Sequence, residues 1–265
     1  MNLTNKTALI TGASSGIGKS FAYLLAAKGA NLVLVARSKD QLETISNELE
    51  SEYGIMTHVL SSDLGQPNAG QNLYTEIKKQ NISVDLLINN AGFGKWGRFE
   101  DFTLDEYSNM MQLNMFSLTE LCYLFLEDFK QKQEAGIINV GSTASFMPIP
   151  FSAVYAATKS YVLSLSESLT GELAGTNIQI TCLCPSGTES NFNKVANSNN
   201  DKDIATNKLM SSDEVAQQGL DAFLAKKHYV ITGRTGQISL LKFLPRKKVI
   251  TMVANYWKKR LGYNG

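Results

Sequence analysis

Seven short runs rich in valine, isoleucine and leucine alternate with longer segments of helical period, and few folds accept that rhythm. The runs are residues 7–11 (TALIT), 31–36 (NLVLVA), 57–63 (THVLSSD), 84–89 (VDLLIN), 136–142 (GIINVGS), 178–184 (IQITCLC) and 228–232 (HYVIT). Short, largely apolar runs of this kind read as strands buried on both faces. The segments 16–28, 39–53, 68–80, 104–131 and 153–173 between them read as helices. Strand alternating with helix requires right-handed crossovers and therefore a parallel sheet covered on both faces. The expected class is α/β, a doubly wound parallel sheet of about seven strands forming a single domain over residues 1–240. A polar insert, residues 191–208, follows the sixth run. There it would hang over the C-terminal ends of the strands, where ligands of such sheets bind, and both a substrate lid and a tolerated surface loop fit it.

The chain has 265 residues, 43% of them hydrophobic and 18% charged, enough apolar material for one large domain and too much for intrinsic disorder. No run approaches the roughly 20 apolar residues of a membrane-spanning helix. The first 16 residues lack the charged and apolar regions of a secretion signal, so a cytoplasmic location is expected. Cys122, Cys182 and Cys184 have no neighbouring histidine or second cysteine pair, which makes them buried thiols rather than metal ligands. Residues 242–265 hold seven lysines and arginines and no acid, leaving 18 basic against 24 acidic residues elsewhere. The acidic body argues against nucleic-acid binding. The basic extension, residues 241–265, carries a stripe of Val249, Ile250, Met252, Val253, Tyr256, Trp257 and Leu261. A helix packed on its own domain or on a sister subunit accounts for it; so does contact with an anionic membrane surface or an acidic carrier protein.

The first run leads into TGASSGIGKS, with Gly12, Gly16 and Gly18 between a strand and a helix. In that context Gly12 allows the turn, Gly16 admits a pyrophosphate and Gly18 lets helix and strand pack closely. The helix N-terminus, with Ile17 in its first turn, then faces the phosphates. Dinucleotide binding is the expectation. No Asp or Glu stands between Gly29 and Lys39, where an acid would hold the ribose hydroxyls of NAD. Arg37, with Ser14 and Ser15, suits a 2′-phosphate instead, so NADP(H) is favoured over NAD(H).

Two Tyr/Lys pairs stand at helical spacing, Tyr74 with Lys78 and Tyr155 with Lys159. Spacing of four puts each pair on one helix face, and a nearby ammonium is expected to lower a tyrosine's pKa toward neutrality. Only Tyr155 has a serine, Ser142, at the end of a strand thirteen residues upstream, and an asparagine, Asn114, in the preceding helical segment. Asn114 would bend that helix locally and hold a water relaying protons to Lys159.

The spacing TGxxxGxG, the NNAG stretch at Asn89–Gly92, Asp63-Leu64 and the set Asn114, Ser142, Tyr155 and Lys159 together resemble the short-chain dehydrogenase/reductase family. The resemblance runs from Thr7 to about Thr232. It implies a Rossmann-type fold, a homodimer or homotetramer, and reversible reduction of a carbonyl to an alcohol, with Tyr155 as acid/base. Lys159 would tune it and hold the ribose, and Ser142 would hydrogen-bond the carbonyl. Asp63, Leu64, Asn90, Ala91 and Gly92 would line the adenosine side, and Pro185 and Thr188 the nicotinamide side. In CPSGTES, Ser186 replaces the family's usual glycine and Ser190 its threonine. The substrate pocket would be bordered by Ala144, Phe146, Met147, Pro148, Phe151 and Phe192, which fits an apolar or medium-chain carbonyl compound or a 3-oxoacyl thioester. Two other readings stay open: a cofactor-binding regulatory or scaffold protein with little turnover, and an NAD-dependent alcohol dehydrogenase.

Overall fold

The computed structural model describes residues 1–189, 209–233 and 244–263. Seven strands form one sheet: β1 (Thr7–Thr11), β2 (Asn31–Ala36), β3 (Thr57–Ser61), β4 (Leu86–Asn89), β5 (Ala135–Val140), β6 (Ile178–Cys184) and β7 (Tyr229–Ile231). Their order is β3-β2-β1-β4-β5-β6-β7, and every pairing is parallel. The helices are α1 (Gly16–Ala26), α2 (Lys39–Tyr53), α3 (Ala69–Lys79), α4 (Leu104–Met111), α5 (Leu118–Lys130), α6 (Ala153–Glu172), α7 (Ser212–Leu224) and α8 (Arg246–Leu261). The Rossmann-type single domain expected from the sequence is the observed one.

The two-residue side-chain period divides the buried residues into two cores, one on each face of the sheet. Leu9, Val33, Val35, Leu87, Ile137 and Ile180 point to the core shared with Phe125 and Phe129 of α5 and Val162 of α6. Ile10, Leu32, Leu34, Ile88, Ile138 and Leu183 point to the other, with Phe21 of α1 and Val215 and Phe223 of α7. Each such side chain, fully removed from water, contributes roughly 1.5–3 kcal/mol. Cys182 and Cys184 share a face and are free buried thiols, their sulfurs 3.6 Å apart.

The segment 104–131 is not one regular helix. Residues Gln112–Ser117 form a π-helical turn between α4 and α5, with Asn114 inside it, so the local bend expected at Asn114 is present as a change of backbone register. Helix α7 was not read from the sequence, although Ser211 and Glu214 form a capping box before its apolar residues. The insert 191–208 lies outside the described residues. The apolar stripe of α8 is split: Val249 is buried and Val253, Trp257 and Leu261 half-buried, while Ile250, Met252 and Tyr256 are exposed. No helix among the described residues is long and apolar enough to cross a membrane.

Gly136 shows how closely α7 is seated. A Cβ at this β5 position would lie 2.3 Å from Cζ of Phe223 and 2.8 Å from the Gln179 carbonyl. Gly136→Ala is expected to cost roughly 1–3 kcal/mol through overpacking and to lower Tm by about 5 °C. Thermal unfolding of the two proteins checks this, and an unchanged Tm would contradict the packing described.

Candidate active site

The strand order reverses between β1 and β4, and the C-terminal ends of these strands are bound together by polar contacts. Thr11 Oγ1 accepts from the backbone N–H groups of Asn90 (2.9 Å) and Ala91 (3.0 Å) and donates to the Ile88 carbonyl (3.3 Å). Asn90 Nδ2 donates to the Thr11 and Gly12 carbonyls at 2.9 and 3.2 Å. Against this clamp the glycine loop leaves no room for side chains. Gly12 has φ +67°, and a Cβ at Gly18 would sit 2.2 Å from the Gly12 carbonyl oxygen.

Ser15 is the N-cap residue of α1, its side chain makes no capping hydrogen bond, and the first turn holds no acid. The free N–H groups of that turn are therefore open to an anion. Arg37, exposed at the end of β2, accepts a hydrogen bond on its carbonyl from Ser61 Oγ, and its side chain is exposed to solvent. Ser14, in the glycine loop after β1, is half-buried. Asp63 accepts from Gln66 Nε2 and the Gly65 N–H; the Gln66 bond, with Gly65 and Arg37, holds its carboxyl below the usual range. Leu64 is buried, its carbonyl accepting from Ser117 Oγ at 2.7 Å. A Cβ-free cradle at Gly12 and Gly18 and an uncapped helix start fit the diphosphate of a dinucleotide. Those same residues would hold it.

The second half of the site lies beyond β5. Ser142 caps the short 3₁₀ turn Thr143–Phe146, its Oγ accepting from the Ala144 N–H at 3.1 Å. It also shares a hydrogen bond with the Tyr155 hydroxyl on the first turn of α6. One turn along, Lys159 Nζ donates to the Val140 carbonyl (2.7 Å) and lies 6.0 Å from the centre of the Tyr155 ring. Asn114 is fully buried and grips the chain after β4 from both sides: its Oδ1 accepts from the Phe93 N–H (3.1 Å), and its Nδ2 donates to the Phe93 carbonyl (2.9 Å). Nδ2 also donates to Thr158 Oγ1 at 3.0 Å. The Asn114 side chain thus ties the chain after β4 to Thr158 of α6. A Cβ at Gly92 would meet Asn114 Oδ1 at 3.0 Å and Lys159 Nζ at 3.3 Å, so Gly92 separates the two and brings them close.

Burial reverses the expected direction of the Tyr155 pKa. Desolvation pushes the hydroxyl up to about 12, against the Ser142 hydrogen bond, while the same dryness brings the Lys159 ammonium down to about 8. Tyr155 is therefore a neutral acid at neutral pH. The other pair lies on the surface of α3, where Tyr74 and Lys78 both donate to Asp128. Lys78 is 5.7 Å from its tyrosine ring, so spacing made the same pair twice and surroundings made only one of them dry.

Among the substrate-side residues, Ala144 and Tyr155 share a small apolar core with Tyr107 and Met110. Phe151, at a φ of +68°, lines a cavity of about 40 Å³ together with Tyr155, Phe102, Tyr107, Met110 and Gly97. Phe146 stands instead against Tyr229 at the β7 edge, ring centres 5.7 Å apart. Ser190 and Phe192 lie outside the described residues. Trp96, Phe102 and Tyr107 were not read from the sequence; aromatic residues after the NNAG stretch were the available signal. A larger open cleft, about 980 Å³, lies beside α1 at Lys19, Tyr23 and Asp213 and includes none of the residues around Tyr155.

After β6, Pro185 is buried and its carbonyl accepts from the Thr143 N–H, tying this turn to the segment after β5 that holds Ser142. Thr188 Oγ1 donates to the Ser186 carbonyl at 3.0 Å. The Ser186 hydroxyl occupies the space over Gly233, where a Cβ would come within 2.1 Å of it; the serine is accommodated because residue 233 is a glycine at φ +81°.

A family model for short chain dehydrogenase matches residues 6–201. The 7beta-hydroxysteroid dehydrogenase of Clostridium sardiniense is 29% identical over 180 residues, 68% of either chain. A short-chain dehydrogenase from Sphingobium yanoikuyae, solved in complex with NADPH, is similar with a TM-score of 0.80 at 29% identity, over 91% of this chain and 97% of that one. The bulky-bulky ketone specific alcohol dehydrogenase from Comamonas testosteroni gives a TM-score of 0.77 at 29% identity, over 93% and 96%. For the glycine loop, Gly18→Ala must displace the Gly12 carbonyl and is expected to weaken nicotinamide dinucleotide binding roughly tenfold or more. Calorimetric titration checks this, and wild-type affinity in the variant would refute the close approach.

Proposed function

Because the chain belongs to the short-chain dehydrogenase family, we propose that it is an NADP(H)-dependent oxidoreductase that reduces a ketone on an apolar substrate to the alcohol, reversibly. The observation that carries this reading is the meeting of Ser142, Tyr155 and Lys159 at the end of β5, with Tyr155 dry and protonated. When bound, the reduced nicotinamide supplies a hydride to the carbonyl carbon. Ser142 donates to the carbonyl oxygen and fixes its position. Tyr155 gives that oxygen its proton, so charge passes from the forming alkoxide to the phenol oxygen. Lys159, still charged below about pH 8, stabilises the resulting phenolate in a site from which water is excluded. Asn114 positions Lys159 indirectly, by holding Gly92 and Phe93 and by anchoring Thr158 on the same helix. The apolar residues near Tyr155 favour an apolar carbonyl compound, and the ketone-specific and hydroxysteroid relatives are consistent with that class.

The NADP(H) preference rests on Arg37 and on the missing acid at the end of β2. Arg37→Asp is expected to weaken NADPH binding roughly 10- to 100-fold and to spare NADH, measured by fluorescence titration of both. Equal losses for the two would remove the 2′-phosphate role.

The protonation states set a pH profile with a definite sign. Reduction needs Tyr155 protonated and Lys159 charged, so kcat/KM for a ketone should be flat below about pH 7 and fall about tenfold per unit above about pH 8 as Lys159 loses its proton. Oxidation needs Tyr155 ionised beside a charged Lys159, so its rate should climb below about pH 8 and level off above it. Tyr155→Phe should lose roughly 100- to 10,000-fold in both directions. A reduction rate that rises through pH 8–9, or a Tyr155→Phe enzyme of near-normal activity, would sink the mechanism.

A further inference from the structure

The cavity beside Tyr155 is about 40 Å³, room for little more than one water molecule. A ketone larger than this cavity fits into it beside Tyr155 only if a wall moves. Tyr155 and Phe151 line this cavity, and three aromatic contacts tie them to the C-terminal tail. Trp257 of α8 stacks face to face on Trp96, ring centres 4.1 Å apart at 22°. Trp96 in turn stands 6.3 Å from the Tyr155 ring. Just past α8, Tyr263 stacks on Phe151, at 5.2 Å and 16°, and its hydroxyl donates to Asp101 at 2.7 Å with Arg98 over its ring at 4.8 Å.

This wall is lightly held. Val249 is the one residue of α8 that is buried; Asp101 and Arg98 are exposed, and the outward face carries Lys247, Lys248, Lys258 and Lys259 in solvent. The closed arrangement also carries local costs. Phe151 sits in the left-handed region, which a bulky side chain rarely adopts, and the Trp96 indole N–H is buried without an acceptor among the described residues. Strain and an unpaired donor meet where the tail touches the site.

We propose that the exposed-on-opening face of Trp96 is the binding surface for a planar ring of the substrate, and that Trp257 occupies that face as an internal stand-in until the substrate displaces it. The substrate class is then a ketone carrying an aryl or fused-ring body, the flat group that reproduces an indole stack. This rests on the reading of Tyr155 as the proton donor. Displacement swings α8 outward and releases Tyr263 from Phe151, enlarging the cavity next to the Tyr155 hydroxyl.

The test compares 2-acetonaphthone with 2-decanone, a ketone without rings, on the full chain with NADPH. Trp257→Ala removes the competitor, so KM for 2-acetonaphthone should fall roughly three- to tenfold, the worth of one aromatic stack. Trp96→Ala should raise the ratio of the KM for 2-acetonaphthone to that for 2-decanone by a similar factor. A rise in KM for 2-acetonaphthone in Trp257→Ala would overturn the proposal, since Trp257 would then be a fixed part of the pocket. A binding measurement separates this from the catalytic reading and needs no variant of Trp96. The stacked indoles should give a far-ultraviolet exciton couplet that Trp257→Ala abolishes and that saturating 2-acetonaphthone with NADP⁺ removes from the unmodified chain. Loss of the couplet in a protein that reduces no ketone supports the displacement and fails the catalytic reading. An intact couplet in a protein that turns over 2-acetonaphthone overturns the displacement and leaves the catalytic reading standing.

Discussion

The hydroxyl of Thr11 is the contact on which the two halves of the molecule depend. By accepting from two successive N–H groups after β4, it fixes the ends of neighbouring strands at the point where the sheet's order turns from β2 to β4. From that junction one chain runs through the glycine loop into α1 and the other through Gly92 to the Asn114 clamp. The glycine loop and the Tyr155 side of the site therefore share a single anchor, and their separation is set by backbone rather than by flexible side chains. Gly12 and Gly18 interlock with Asn90 so tightly that neither glycine takes an added carbon without something moving.

Dryness is the second organising quantity. In the proposed reaction a phenol gives its proton to the substrate oxygen beside an ammonium, and the energy of a charge in that position depends on what surrounds it. Placing Tyr155 and Lys159 against β5 and the thiols of β6 removes water from both. Each is pushed toward its neutral form, and a modest stabilisation by Ser142 or by a bound anion then has a large effect. On the wet surface of α3 the same two residue types, at nearly the same separation, simply join Asp128 in an ion pair. An ion pair so exposed contributes about 0–1 kcal/mol and performs no chemistry.

Much of this was legible in the sequence because it is local. A strand buried on both faces announces itself as an apolar run, and all seven fell where the runs lie. The glycine loop was legible for the same reason: turn, close approach and helix start are requirements on adjacent residues. Ser142, Tyr155 and Lys159 could be named because they are spaced along one strand-to-helix connection. What could not be read depends on contacts between distant segments. Nothing in the period of the tail says which surface its stripe meets, so the pairing of Trp257 with Trp96 and of Tyr263 with Phe151 was invisible. The direction of the Tyr155 pKa was misjudged because charge is written in the sequence and depth is not. Ser186 looked like a damaged motif until Gly233, forty-seven positions later, was seen to receive it.

The π-helical turn at Gln112–Ser117 does more than bend a helix. An added residue shifts the phase of everything after it, so that α4 and α5, though continuous, present their apolar residues in different directions. Tyr107 and Met110 of α4 belong to the small core beneath Tyr155, and Leu121, Cys122, Phe125 and Phe129 of α5 belong to the main core under the sheet. One rod thus serves as an axle between two compartments, with Asn114 as its bearing. A regular helix would have had to choose between them. A rotation imposed at the Tyr155 end would be felt as torque on the sheet, and the rigidity of the sheet is what resists it.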